Sequence, residues 1–127
     1  MKYVTENESG FVPASHEDPN NPGVLKRIIA TAADLQLGQV QMVNWARLPV
    51  GHSFNSHYHQ DMQEVFVLLL GAVTMTVDDE TVTMNPGDTV IVEPREIHQM
   101  TNVGTEPAEY LVFGISSQDG GKTIVVP

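Results

Sequence analysis

Cysteine is absent from this 127-residue chain. Its absence removes disulfides, thiolate metal ligands and cysteine nucleophiles together. Basic residues are scarce. Six Lys and Arg stand against 16 Asp and Glu, for a formal net charge of -10 and a pI near 4.6. No basic stripe exists to follow a phosphate backbone or an anionic lipid surface, so neither nucleic acid nor a membrane is expected as a partner. Long apolar runs are missing too, and the opening residues Met-Lys-Tyr-Val-Thr-Glu-Asn-Glu hold no signal-peptide core. The expectation is a soluble, cytoplasmic protein. No segment carries apolar residues at convincing helical spacing, and neither a Gly-rich phosphate loop nor a Ser-His-Asp arrangement is visible.

What remains is a chain of short strands and turns. Hydrophobic residues make up 41% of it, enough for one core, and residues 1–127 read as a single domain. Residues 1–23 form a polar, acidic arm ending in Asn20-Asn21-Pro22-Gly23, and strands are expected over 24–30 and 39–48, with 31–38 as a loop. Residues 64–70 are apolar on both faces. Residues 73–77 and 81–84 alternate around an Asp78-Asp79-Glu80 turn, and Asn85-Pro86-Gly87-Asp88 has the Pro and Gly placement of a type II turn. Further strands are expected over 89–93, 98–102 and 108–115, with a small one at 123–126 in the tail from Ser116. Many short strands separated by Pro/Gly turns predict an all-β sandwich or barrel. The two-sided apolar strand at 64–70 needs cover outside as well as in, so N-terminal strands or a second subunit should pack over it; a homodimer is expected.

The chemistry concentrates in Gly51-His-Ser-Phe-Asn-Ser-His-Tyr-His-Gln-Asp-Met-Gln-Glu64. Residues two apart on a strand share a face, so His57 and His59 aim two imidazoles at one point. Imidazole is the commonest protein ligand for transition metals. If Gln60–Gln63 is a loop, Glu64 begins the next strand and can turn its carboxylate to the same point. His98 is the candidate for a fourth ligand. Such a set suits one divalent transition metal ion (Mn, Fe, Co, Ni, Cu or Zn), with positions left open to a small molecule.

Around this set, Gln63 is read either as a hydrogen-bond partner of a ligand or as an exposed amide. Met100 is expected to line the pocket, Asn102 to build a turn, and His52 to lie in a loop. His16, beside Glu17 and Asp18, reads as part of a solvated acidic segment. Trp45, Tyr110, Val112 and Phe113 are candidate cavity or core residues. Arg47 is a candidate grip for an anionic substrate, and Glu93 a candidate general base.

The spacing Gly51-(five)-His57-x-His59-(four)-Glu64-(six)-Gly71 resembles the first motif of the cupin superfamily. Pro86-Gly87-Asp88, Pro94, His98 and Asn102 resemble its second. The resemblance covers residues 39–114, leaving 116–127 as a C-terminal tail. It implies a jelly-roll β-barrel (a double-stranded β-helix) with His57, His59, Glu64 and His98 as metal ligands. It also implies a small metalloenzyme of dioxygenase or isomerase type acting on a small polar molecule, or else a non-catalytic, sugar-like ligand-binding module with an anchoring metal. Glu93 and Arg95 depart from the proline and glycine common around Pro94, and Glu80 replaces a hairpin glycine.

Overall fold

Turn chemistry divides the chain much as the sequence leads one to expect. Gly87 adopts φ +94° and Asp88 N–H donates to Asn85 O at 2.9 Å, as the third and fourth positions of a type II turn require. Gly71 takes φ +93° with its α-carbon face against Ala108, where a Cβ would come within 2.9 Å of the Ala108 Cα. The computed structural model describes residues 2, 4–5, 10–117 and 120–127, so parts of the expected arm and tail lie outside the described residues. It contains the strands β1 Val12–Pro13, β2 Leu25–Thr31, β3 Val40–Leu48, β4 His57–His59, β5 Gln63–Leu70, β6 Val73–Val77, β7 Glu80–Met84, β8 Thr89–Val92, β9 His98–Asn102, β10 Ala108–Ile115 and β11 Thr123–Val125. Among the described residues there is no helix.

The strands form two sheets, ordered β1-β2-β3-β10-β5-β8 and β11-β4-β9-β6-β7, with every pairing antiparallel. Alternation turns Ala46, Leu48, Phe66, Leu68, Tyr110 and Val112 of the first sheet toward Val73, Met75, Met84 and Met100 of the second, and this layer is the core. Among the described residues no ladder joins the two sheets, so the architecture shown is a two-sheet β-sandwich, one of the two forms the strand pattern predicted. The N-terminal strands also differ from expectation. β1 and β2 extend the first sheet beyond β3 instead of covering the outer face of β5, because pairing satisfies the backbone groups of the β3 edge. Val65, Val67 and Leu69 on that outer face stay half-buried.

Asn102 builds its turn as expected. Its amide donates to Leu48 O and Glu106 O, and its Oδ1 accepts from Gly104 N–H. Arg95, standing at the glycine position noted above, carries φ +71°. The loop holds it there because its N–H donates to His59 O at 2.6 Å. A side chain in the left-handed region costs roughly 1–2 kcal/mol, partly offset in glycine by greater unfolded-state freedom. Arg95→Gly should therefore raise stability by up to about 1 kcal/mol, read as a higher denaturant midpoint at unchanged slope. A lower midpoint would show that the guanidinium contributes more than the backbone strain costs.

Candidate metal centre

His57 and His59 occupy the first and last positions of β4, both buried, with the intervening Tyr58 facing the other way. The chain then turns through residues 60–62, so Glu64 enters β5 as a buried, inward-facing residue, as the loop reading requires. β9 pairs with β4 so that His98 lies directly across from His57. One ligand atom from each of His57, His59, Glu64 and His98 lies within 4.8 Å of the others. All four residues are buried, with Glu64 only 5% exposed. The arrangement is that of a site able to hold a metal ion.

Hydrogen bonds set the imidazoles for that task. Nδ1 of His57 lies 2.6 Å from Asn55 O and Nδ1 of His98 lies 3.0 Å from Glu96 O. A carbonyl oxygen only accepts, so each Nδ1 carries the proton and each Nε2 keeps its lone pair. The Thr123 hydroxyl stands 3.3 Å from His59 Nδ1. Nε2 of His59 lies 2.9 Å from Glu64 Oε1, yet it is a buried nitrogen without a hydrogen bond of acceptable geometry. Nε2 of His98 reaches the same oxygen at 3.1 Å. One carboxylate oxygen shared between two imidazole nitrogens, one of them orphaned, is what a missing cation would leave. The residues present fit a divalent transition metal.

The charge states agree. Burial first, then the neighbouring His16 and His98, push the His57 pKa down to about 3. Burial alone would also lower His59, but the adjacent Glu64 carboxylate outweighs it and the pKa is raised. Burial would raise Glu64, and its contacts with His59 and His98 reverse this, holding it at about 2.

The cluster opens onto a cavity of about 240 Å³ whose walls include His57, His59, Glu64, Tyr110 and Val112. Sequence reasoning missed part of this wall. His16 belongs to it and stacks on His57 with ring centroids 4.2 Å apart. Glu17 is 8% exposed, and its carboxylate accepts from Gly23 N–H, Asn55 N–H and the His16 ring. The arm is thus not the solvated acidic segment expected. Glu17 grips the backbone N–H of Asn55, the residue whose carbonyl orients His57.

Several sequence candidates lie elsewhere. Met100 shares the His98 face but is buried in the core and does not line the cavity. Trp45, Arg47 and Phe113 alternate with the inward-facing Asn44, Ala46 and Val112 and so point outward. Arg47 rests on the Phe11 ring at 4.2 Å and approaches Glu109 at 3.8 Å, which removes it as a substrate grip. Glu93 is exposed, accepts from the Gln63 amide at 3.0 Å and lies off the cavity wall. It follows the inward Val92, so strand parity turns it outward, and the geometric reason for making it a base is gone. Gln63, engaged with Glu93, holds none of the four donors. His52 is an exposed loop residue, as expected.

Fold and site together define a two-sheet β-sandwich with a buried His/Glu cluster facing an inner cavity. The Cupin_2 family profile, described as a cupin domain, matches residues 44–114, more than half of the chain. The protein belongs to the cupin family. It is 32% identical over 74 residues to an uncharacterized protein of Methanocaldococcus jannaschii, a match covering 58% of this chain and 59% of that one. It is 31% identical over 103 residues to quercetin 2,3-dioxygenase of Bacillus subtilis, covering 77% of this chain and 30% of that enzyme. The chain thus spans less than two thirds of the length of either relative. Among solved structures, a predicted oxalate decarboxylase from Thermotoga maritima superposes with a TM-score of 0.79 at 22% identity, over 91% of this chain and 99% of that one. At that identity the likeness is one of fold.

The pKa shifts predict how the metal-free protein responds to pH. The His57 contribution to stability is full above its ordinary 6.5 and is lost as pH falls toward about 3. Glu64 acts in the same direction between 4.5 and about 2. His59, with its raised pKa, contributes fully below 6.5 and loses its share as pH rises through the folded value. Between pH 6.5 and 4 the metal-free wild type should therefore lose denaturant midpoint relative to metal-free His57→Asn. A gap between the two that stays constant over this range would refute the buried neutral imidazole.

Proposed function

We propose that the protein is a metal-dependent cupin enzyme acting on a small polar molecule, by dioxygenase or isomerase chemistry. The observation that carries this reading is the buried four-donor cluster with an orphaned His59 nitrogen, set in the wall of an inner cavity. His57, His59, Glu64 and His98 would hold one divalent transition metal ion. Bound there, the ion would supply Lewis-acid polarisation of a ligand oxygen or a place for dioxygen.

The remaining work falls to this chain's own side chains. Tyr110 is fully buried on the cavity wall, and burial, with the Glu64 and Glu17 charges, drives its pKa well above the usual phenol range. It therefore remains a neutral hydroxyl that donates and does not act as a base. His16 presents a ring beside His57, with Nδ1 engaged by Glu17. Apolar walls from Phe54, Phe66 and Val112 exclude water from around the ligand. The second reading, a non-catalytic ligand-binding module, draws support from the displacement of Glu93 from the cavity, which leaves few acid–base groups beyond the donors.

The outer face of the first sheet supports a homodimer. Val43, Phe113, Val65 and Ile91 form one cross-strand apolar row over four strands, and Ile91 is 54% exposed. The acidic surface gives no support to a nucleic-acid role. No helix among the described residues is long and apolar enough to cross a membrane.

Protein purified without added metal should carry close to one transition-metal ion per chain by elemental analysis. His57→Ala and His98→Ala should lose it, and Glu17→Gln, acting through Asn55, should weaken binding roughly 10–100-fold. Wild type free of metal and unable to take it up would sink the reading. Oxygen uptake with candidate diols and hydroxylated aromatics distinguishes the dioxygenase from the isomerase, while tight ligand binding without turnover selects the binding module. Light scattering at micromolar concentration should give the mass of two chains, and Ile91→Asp should return it to one.

A further inference from the structure

Two polar groups on the cavity wall lack partners among the described residues. Asn44, 7% exposed, lines the cavity from β3, and its Oδ1 is buried with no hydrogen-bond partner. Leaving such an acceptor unsatisfied is unfavourable, because the hydration it loses on burial is not replaced. Lys26 lines the same cavity from β2, directly across the ladder from Ala46, whose small side chain leaves it room to reach inward. It forms no ion pair or hydrogen bond with a described residue, and burial lowers its pKa with nothing opposing.

The other cations described on this acidic chain are differently placed. Lys2 pairs with Asp34, Arg47 approaches Glu109 and Arg27 lies over Trp45, while Arg95 and Lys122 are exposed to water, so Lys26 alone of the described cations is both without a described partner and set on the cavity wall. An unpaired, partly desolvated ammonium in a protein of net charge -10 calls for an anion. A divalent ion among three neutral imidazoles and one carboxylate would leave the cavity a net positive charge and favour the same partner. Apolar side chains from Met42, Phe54, Phe66 and Val112 line the space between.

We propose that the cavity binds a small hydroxy acid whose carboxylate meets the Lys26 ammonium, whose hydroxyl donates to Asn44 Oδ1, and whose apolar body lies against Met42, Phe66 and Val112. This deepens the metal-centre reading and rests on it for the charge of the cavity, while both polar contacts belong to the protein itself. Lys26 and Asn44 are then the residues that select the substrate. A ligand without the acid forfeits the first contact, and one without the hydroxyl leaves Asn44 unpaired.

Calorimetric titration of the zinc-loaded protein with mandelate, phenylacetate and 1-phenyl-1,2-ethanediol tests this, because the three share a ring and differ in the two polar groups. Mandelate should bind at least about tenfold more tightly than either of the others. Lys26→Met should lose about tenfold for mandelate and phenylacetate with the diol unchanged, and Asn44→Ala should lose about tenfold for mandelate and the diol with phenylacetate unchanged. Lys26→Arg should stay within about threefold of wild type for mandelate, separating loss of charge from loss of fold. The inference is overturned if wild type binds none of the three, if the diol rivals mandelate, or if Lys26→Met and Asn44→Ala bind all three as wild type does. If zinc fails to load and the same pattern appears in the metal-free protein, the metal-centre reading falls and the hydroxy-acid site stands.

Discussion

A carboxylate buried among three imidazoles is the constraint from which the rest of this structure can be understood. An isolated ionised Glu64 at this depth would cost several kcal/mol, and the neighbouring His59, whose Nε2 stands 2.9 Å from Oε1 and whose pKa the carboxylate raises, offsets part of that cost. Those imidazoles are themselves committed. The Asn55 and Glu96 carbonyls fix the His57 and His98 tautomers, so neither ring can swing away to solvate itself. The group is overdetermined in geometry and short of positive charge. A divalent cation resolves both features at once, whereas protons can satisfy only some of the nitrogens.

The cavity beside the cluster arises from side-chain size on facing rows of the sandwich. The row through Glu64 runs across Met42 and Gly114, and Gly114 is small because Met62 packs over it; a Cβ there would lie 2.3 Å from the Met62 Sδ. The next row places Asn44 against Val112, and the one beyond places Ala46 against Tyr110. Gly114 on β10 and Ala46 on β3 leave space beneath the arm. The arm closes it from above, with Ala14 in the core and Glu17 tied to Gly23 and Asn55. One carboxylate in the arm therefore couples closure of the cavity to the orientation of a donor.

Period-two alternation made most of the site legible from sequence. It placed His57 with His59 and required a loop before Glu64 could join them, while His98 came in through the resemblance of the second motif. The same rule, carried further, would have turned Trp45, Arg47 and Glu93 outward, since each neighbours a residue whose inward position the pattern implies. Met100 shows the limit of parity. It shares a face with His98 but lies one row farther from the cluster, opposite Met75, inside the core. His16 and Glu17 carried no signal at all. They stand outside any strand, in a polar stretch, and their burial comes from Asn55 and His57 some forty positions away, contacts that no local pattern encodes.

Donor sets of this kind leave the choice of reaction to the residues around them. A fold shared at 22% identity with a predicted oxalate decarboxylase, and a 31% match covering 30% of a quercetin dioxygenase, indicate how little the scaffold alone determines. The distinguishing groups must be those that touch what enters the cavity and differ in charge or hydrogen-bonding capacity. Here these are, among the described residues, an ammonium without a partner, an amide oxygen without a donor, a neutral phenol and a ring stacked on a donor histidine. Lys26 and Asn44 line the cavity from β2 and β3, and among the described residues no hydrogen bond or ion pair joins either to a donor, so on the hydroxy-acid proposal ligand selection and cation holding would be separable physical tasks.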